Sequence, residues 1–506
     1  MPKTKNKQIA MQAMISTFFA FLAIFIAPAR IFVITHSIDK ETYGYFSLLT
    51  ITLNSLGFVG ILGLRYYLIY AFPHKSTKDQ GSIFNSSLCV NLLTGPLAGL
   101  LFVIITLFVV KTIAFTPLII GLGFAYIIIY TIANLGLGYL LAVGRVALYK
   151  FLSFMTSYFW FFTICILLVF VKAGSLPDFN LLGLTLTILL SLIAVFLIIT
   201  IFTYKFLGKE GISAKPSFAL AKKSVFYGFP LLPQYFALAL FRLADRYVIL
   251  DSYGPETVAT YTVAATLVFF SADTQMLLEY IFPHMSDAWK ENLNNKLHGF
   301  KGQAAKYFYS ALRLSLFMTI PMGIGIMLWG TTLIELLAGE NYICPELKYL
   351  FWIMSPLVVI MPLAKMFQFT INLDNKTKFV GISVLIASLL NLVLNILFIP
   401  KYGLLGAAGA TSFSYTLLFI SSVFMSSTKH DFKISQLRLV QILTSAIVMS
   451  ITVFIVRYFV DDNLSTYFSS DRYLPRIFIE APLAGAAYCI CSLKLKVWKF
   501  SELTGK

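Results

Sequence analysis

The chain has 506 residues, 58% of them hydrophobic and only 12% charged, with a formal net charge of +17. Soluble globular chains run about 45–50% apolar and about 25% charged, so an ordinary soluble enzyme, a disordered chain and a disulfide-stapled secreted protein are excluded. A polytopic membrane protein remains, and the excess of base requires an explanation.

Met1 to Gln8 is basic, and the apolar run after it lasts beyond roughly 20 residues without a small-residue cleavage site, which reads as a retained first span. A helix needs about 20 apolar residues to cross roughly 30 Å of hydrocarbon. On that basis about fourteen helices are predicted, at 9–35, 43–71, 83–110, 114–141, 149–171, 181–204, 225–250, 257–282, 304–334, 347–372, 378–400, 402–427, 437–459 and 474–493. Glu480 and Pro482 interrupt the last of them. Barrel strands alternate apolar and polar over about ten residues, whereas these runs are apolar on all sides. The fold class is therefore all-α and polytopic. The longest polar loops fall at 205–224 and 283–303, and no P-loop or soluble domain interrupts the spans. The five cysteines form no CxxC pair and the five histidines no HExxH motif, so neither a metal nor a cofactor is expected.

Lys and Arg fall unevenly between alternate loops: with the N-terminus inside, the cytoplasmic side holds about 25 and the outer side about 8. Both termini are expected in the cytoplasm, and nearly all of the +17 is a topology signal rather than a nucleic-acid signature.

Two passages resemble each other. Ser37 to Thr42 follows the first span and Ser252 to Thr257 follows the seventh, each preceded by an arginine (Arg30, Arg246) and followed by a tyrosine (Tyr45, Tyr261). An offset of six helices preserves orientation, so the copies would be parallel, related by an axis along the membrane normal. This divides the chain into an N-terminal lobe (1–204), a cytoplasmic linker (205–224), a C-terminal lobe (225–430) and two appended helices with a cytoplasmic tail (431–506).

Ionisable side chains inside a membrane are costly and usually face a cavity or a partner. The basic ones here are Arg30, Arg65, Arg242, Arg246, Arg313 and Lys365, and the acidic ones Asp245, Asp273 and Glu279. Arg242 and Arg246 stand one turn apart on a single helix face, with Asp245 beside them to orient one of the two. Six bases against three acids leave a positive excess that calls for an anion, and arginine suits a phosphate because it stays charged and donates two parallel N–H bonds. Arg30, Arg65, Arg242 and Arg246 are thus candidate diphosphate ligands. Asp273, Glu279, Arg313 and Lys365 are candidate cavity or ion-coupling residues. Pro28, Pro230 and Pro233 interrupt the first helix of each lobe, where a rocking transporter would hinge.

At this point the chain resembles a family, the polysaccharide-biosynthesis flippases of the multidrug/oligosaccharidyl-lipid/polysaccharide exporter superfamily. The matching pieces are Ala29-Arg30-Ile-Phe-Val-Ile, Tyr43-Gly44-Tyr-Phe-Ser47, Leu62-Gly63-Leu64-Arg65, Tyr227-Gly-Phe-Pro230-Leu-Leu-Pro233 with Asp245-Arg246, Asn391 with Asn395, and Ile399-Pro400-Lys-Tyr-Gly403-Leu-Leu-Gly406-Ala-Ala408, spread over residues 9 to 430. The resemblance implies two six-helix lobes around a central basic cavity, alternating between inward- and outward-open states. Its implied partners are the lipid bilayer, an undecaprenyl-diphosphate-linked oligosaccharide carried to the outer leaflet of the cytoplasmic membrane, and a polysaccharide polymerase. Arg30 and Arg65 match arginines that would contact the diphosphate. The two extra C-terminal helices resemble the lipid II flippase arrangement, while the cavity arginines match that flippase incompletely, which makes lipid II the less favoured cargo. A cytoplasm-negative potential would drive two uncompensated charges outward by about 4–5 kcal/mol per 100 mV, with H+ or Na+ coupling through Asp273 or Glu279 as the other option. The competing readings are a membrane glycan polymerase or ligase, which would want larger outer loops, and a drug/cation antiporter of the same fold, which would want acidic residues in the cavity.

Overall fold

A computed structural model describes residues 18–19, 22–23, 25–72, 75–110, 114–174, 177, 179–272, 281–294, 302–374, 376–427, 438–464 and 474–497. Among them the regular structure is helical throughout. Ten helices are long and apolar enough to cross a membrane, or eleven with a bent pair taken as one span. The protein is a multi-pass membrane protein; these counts cover the described residues alone and take Thr377–Ser426 as one span, where the sequence predicts two. The first and eighth expected spans lie partly outside the described residues.

Residues 1–262 and 384–403 form one compact unit. Its helices are α1 (Phe25–Thr35), α2 (Lys40–Gly60), α3 (Leu64–Ala71), α4 (Thr77–Ile105), α5 (Pro117–Ala142), α6 (Val146–Lys172), α7 (Leu181–Ile212), α8 (Phe218–Gly228) and α9 (Leu232–Tyr253), followed by the start of α10 (Pro255–Ala272). Side-chain oxygens begin four of them: Asp39, Ser76, Thr116 and Asn180 accept from backbone N–H groups in the first turns of α2, α4, α5 and α7, which satisfies donors a helix start leaves open. Pro117 occupies the first turn of α5, where its missing N–H costs nothing. The core gathers Leu64, Leu68, Phe72, Leu135, Tyr139, Leu152 and Ile199. Leu97, Phe108, Phe170, Ile201 and Ile396 lie exposed on the spans, as a surface facing lipid permits.

Two spans of this unit are broken. The second was expected to run unbroken over 43–71, but Leu62 and Gly63 take positive φ (50° and 67°), and α2 and α3 meet at 42°. The left-handed conformation suits Gly63 and strains Leu62. The seventh span breaks at a single 3-10 turn, Phe229–Leu231, which holds Pro230, and Pro233 stands in the first turn of α9. Each proline lacks the N–H that a continuing helix would bond. Pro28, by contrast, lies within the helical run of α1.

The two breaks touch. A Cβ on Gly228 would overlap the Leu62 carbonyl oxygen, and one on Gly63 would lie 2.9 Å from Leu231 Cδ1. Gly228→Ala is therefore expected to destabilise by about 1–3 kcal/mol or more, because a backbone carbonyl cannot swing aside as a side chain can. Thermal unfolding in detergent measures this against Gly121→Ala, where the added methyl meets open space and should be neutral or slightly stabilising.

Residues 263–383 and 404–506 form the second unit. Its helices are α11 (Ile281–Asn294), α12 (Gly302–Ala338), α13 (Leu347–Met354), α14 (Leu357–Leu373), the latter part of α15 (Thr377–Ser427), α16 (Leu439–Leu464) and α17 (Leu474–Lys494). The boundary between these compact units falls within α10 and α15. α15 would be about 75 Å long as a straight helix, more than twice the hydrocarbon thickness. Gly403 divides it with φ 55° and ψ −131°, at the junction expected between 378–400 and 402–427. α7 likewise carries a break at Gly208.

The expected loop at 283–303 holds most of α11, whose Met285, Ala288 and Trp289 are buried against Phe308 and Leu312 of α12 and Met366 of α14. Apolar residues spaced to form one face make a helix out of a segment too polar to span. Arg457 falls near the end of the span expected at 437–459, and Glu480 was expected to interrupt the last span. Both lie within helices and pair: Arg457 Nε donates to both carboxylate oxygens at 3.1 Å, and Trp329 Nε1 of α12 donates to Glu480 Oε2 at 2.7 Å. A buried carboxylate is tolerable here because cation and indole both satisfy it.

Candidate substrate-binding site

All four candidate diphosphate arginines belong to the first unit. Arg242 and Arg246 follow one another by one turn on α9, as the spacing requires. Asp245 is buried and fully engaged: Oδ1 accepts from Arg246 NH1 at 3.1 Å, and Oδ2 accepts from the Tyr261 hydroxyl at 2.7 Å. The Tyr261 ring also lies under the Arg246 guanidinium at 5.5 Å, a face-on arrangement that favours the cation. Arg246 NH1 donates a further bond, 2.9 Å, to the Arg242 carbonyl. The aspartate thus holds Arg246, while Arg242 is exposed.

Arg65 projects from the first turn of α3, just past the Leu62–Gly63 break. It donates to the Tyr149 hydroxyl and lies 4.8 Å from that ring's centroid. Gly138 of α5 makes room for its stem, since a Cβ there would sit 2.9 Å from Arg65 Cγ. Arg30 on α1 is half-buried, with its guanidinium 5.8 Å from the Trp160 ring of α6.

The arginines form two groups joined along α9. Arg30 and Arg246 both act electrostatically on buried Tyr43, and Arg242 and Arg65 both act on Tyr130. The Nε atoms of Arg65 and Arg246 are buried without a hydrogen-bond partner among the described residues. An unmet N–H on a cation in a low-dielectric setting is a strong point of attraction for an anion's oxygen.

The remaining candidates lie elsewhere. Arg313 on α12 is buried, and its NH1 reaches the Val497 carbonyl at 3.5 Å, beside Arg438, which donates to the Lys496 and Val497 carbonyls at 2.7 Å. Cations there complement the negative end of α17. Lys365 is exposed on α14. Asp273 and Glu279 lie outside the described residues. Sequence reasoning passed over Tyr149, Trp160, Tyr43 and Tyr130, because an aromatic among 16% aromatics carries no signal until the fold places it by a cation. Asn391 and Asn395, one turn apart on α15, are fully buried, and Asn395 Nδ2 donates to Asn391 Oδ1 at 3.0 Å.

No family model matches the chain. A segment of 189 residues is 29% identical to the lipid II flippase MurJ of Bacillus subtilis (strain 168), covering 36% of this chain and 34% of that protein. The chain thus matches about a third of the length of this curated relative. In fold it is similar to a lipid II flippase MurJ in an inward closed conformation, with a TM-score of 0.72 and 16% identity, over 96% of this chain and 99% of that one. It is also similar to a multidrug resistance MATE family transporter of the MOP superfamily in an inward-facing conformation, with a TM-score of 0.61 and 15% identity, over 84% and 99% of the two chains. The chain therefore shares the fold of these two solved structures.

Proposed function

We propose that the protein is a flippase, moving a polyprenyl-diphosphate-linked oligosaccharide from the inner to the outer leaflet of the cytoplasmic membrane by alternating access, for surface-polysaccharide assembly. The observation that carries this reading is the charge balance of the first unit's spans: among the described residues Arg30, Arg65, Arg242 and Arg246 are set against Asp245, a buried carboxylate committed to Arg246 and Tyr261. An excess of fixed cations within the membrane favours a diphosphate and disfavours a cationic drug. The fold supports carriage rather than group transfer. The two breaks at Leu62–Gly63 and Phe229–Leu231 supply bends beside Arg65, where a span could flex while the arginine holds its load. The outer-leaflet product would feed a glycan polymerase.

Deleting the gene should leave lipid-linked units on the inner leaflet and remove the surface glycan, and normal display would overturn the reading. Lipid II as the cargo is a second reading, favoured by the likeness to the lipid II flippase MurJ and by the paired C-terminal helices α16 and α17. Growth of a strain depleted of its own lipid II flippase, restored by this chain, would select that cargo. Failure to restore growth, with surface glycan lost on deletion, would select the polysaccharide unit.

A further inference from the structure

Beside Arg65 the two broken spans carry a cluster of tyrosines. Tyr66 and Tyr70 stand one turn apart on α3 and are 51% and 70% exposed, although both lie in an apolar span. Tyr227, in the last turn of α8 and 37% exposed, lies nearly parallel to Tyr70, with centroids 5.4 Å apart and 22° between planes. Tyr67, buried beneath, meets the same ring at 5.7 Å. Past the 3-10 turn, Tyr235 stands half-buried in the first turn of α9. The contact of Gly228 with Leu62 locks the two helices that carry these rings.

Tyrosines at a membrane interface usually anchor singly, ring in the acyl region and hydroxyl toward the headgroups. Here rings from two helices stack on one another, in the turn that follows an intramembrane arginine, which an anchoring belt does not require. An aromatic face carries partial negative charge. The C–H face of a pyranose carries partial positive charge and is apolar, while its rim is all hydroxyls. A platform of open rings edged by phenol hydroxyls and a guanidinium therefore matches a sugar joined to a diphosphate: the rings take the C–H face, the hydroxyls the rim, and the cation the phosphate. A ligand pocket of this kind is apolar with a few placed polar groups.

We propose that Tyr66, Tyr70, Tyr227 and Tyr235 form a stacking subsite for the sugar next to the diphosphate of the lipid-linked cargo, with the diphosphate at Arg65. This rests on the flippase reading and adds to it where the glycan is held.

The test measures binding of two probes to the purified full chain in detergent: undecaprenyl diphosphate, and undecaprenyl-diphosphate N-acetylglucosamine. The wild type should bind both, the sugar-bearing probe roughly tenfold more tightly, the factor that about 1.4 kcal/mol gives. The Tyr70→Ala/Tyr227→Ala double variant should lose that tenfold preference and keep its affinity for undecaprenyl diphosphate, which also shows that it is folded. Tyr70→Phe/Tyr227→Phe should retain most of the preference, because stacking needs the ring. A wild type that binds the probes equally, or a double-alanine variant that keeps the preference, overturns the subsite and leaves the flippase reading standing. Equal loss of both probes marks the rings as a lipid anchor and also overturns the subsite. A wild type that binds neither probe overturns both.

Discussion

Arg65→Ala is expected to weaken undecaprenyl-diphosphate binding by about 10- to 150-fold and to stop glycan translocation, with the protein still inserted at normal levels. The magnitude follows from the bond type: a hydrogen bond to a charged group contributes about 1.5–3 kcal/mol, and each 1.4 kcal/mol is about tenfold. Arg65 is the arginine for which the loss should be cleanest. It donates to a neutral hydroxyl, that of Tyr149, whereas Arg246 is already tied to the Asp245 carboxylate and to the Arg242 carbonyl. Arg65→Lys keeps the charge and loses the planar fork, so it should recover a minority of the affinity. Tyr149→Phe separates orientation from charge, because it removes the hydroxyl that holds the guanidinium and leaves the ring beneath it; a loss of no more than about tenfold is expected. Full translocation by Arg65→Ala would remove this residue from the site and, with it, the argument from charge balance.

Much of this architecture could be read in the sequence because a bilayer simplifies the rules. Where water is absent every backbone group must be bonded within the segment, so long apolar runs can only be helices, and the spans follow from counting. The break at Pro230 and Pro233 was equally legible, since proline removes a backbone donor wherever it stands. Glycine breaks were harder. Gly63 and Gly403 bend their helices through positive φ, but other glycines within the same spans continue as helix, and the residue type alone does not separate the two. The candidate site was legible as a set of charges and not as a geometry. Spacing placed Arg242, Asp245 and Arg246 on one helix face, whereas the link of Arg65 to Tyr149 spans 84 residues and that of Asp245 to Tyr261 crosses between helices. Sequence similarity also led the two parallel copies to be read from short turns. Ser47 and Thr262, separated by 215 residues, hydrogen-bond at 3.4 Å. The pairing of Arg457 with Glu480 was not legible at all, because Glu480 read as an interruption of the last span and only the packed hairpin of α16 and α17 makes them a pair.

That pair should dominate the stability of the second unit. Glu480→Ala and Arg457→Ala are each expected to destabilise by about 3–5 kcal/mol, the cost of stranding one member of a buried ion pair. Glu480 is the more consequential of the two: its side chain is 1% exposed against 32% for Arg457, and it also holds the Trp329 indole at 2.7 Å. Its removal therefore strands a guanidinium and an indole N–H together, and loosens α12 from both C-terminal helices. Glu480→Gln keeps an acceptor for Trp329 and should fall between wild type and alanine. The double replacement Glu480→Met/Arg457→Leu decides between a structural pair and a mere surface contact. Exchanging a buried pair for apolar side chains of similar volume is often neutral or stabilising, less about 1–3 kcal/mol for the indole left without an acceptor, so the double variant should unfold above at least one single variant in a thermal melt in detergent. Exposed pairs contribute about 0–1 kcal/mol; if both single variants melt within that range of wild type, the contact behaves as a surface pair and α16 and α17 must be held to α12 by Trp329, Ala446, Val453 and Tyr488 packing alone.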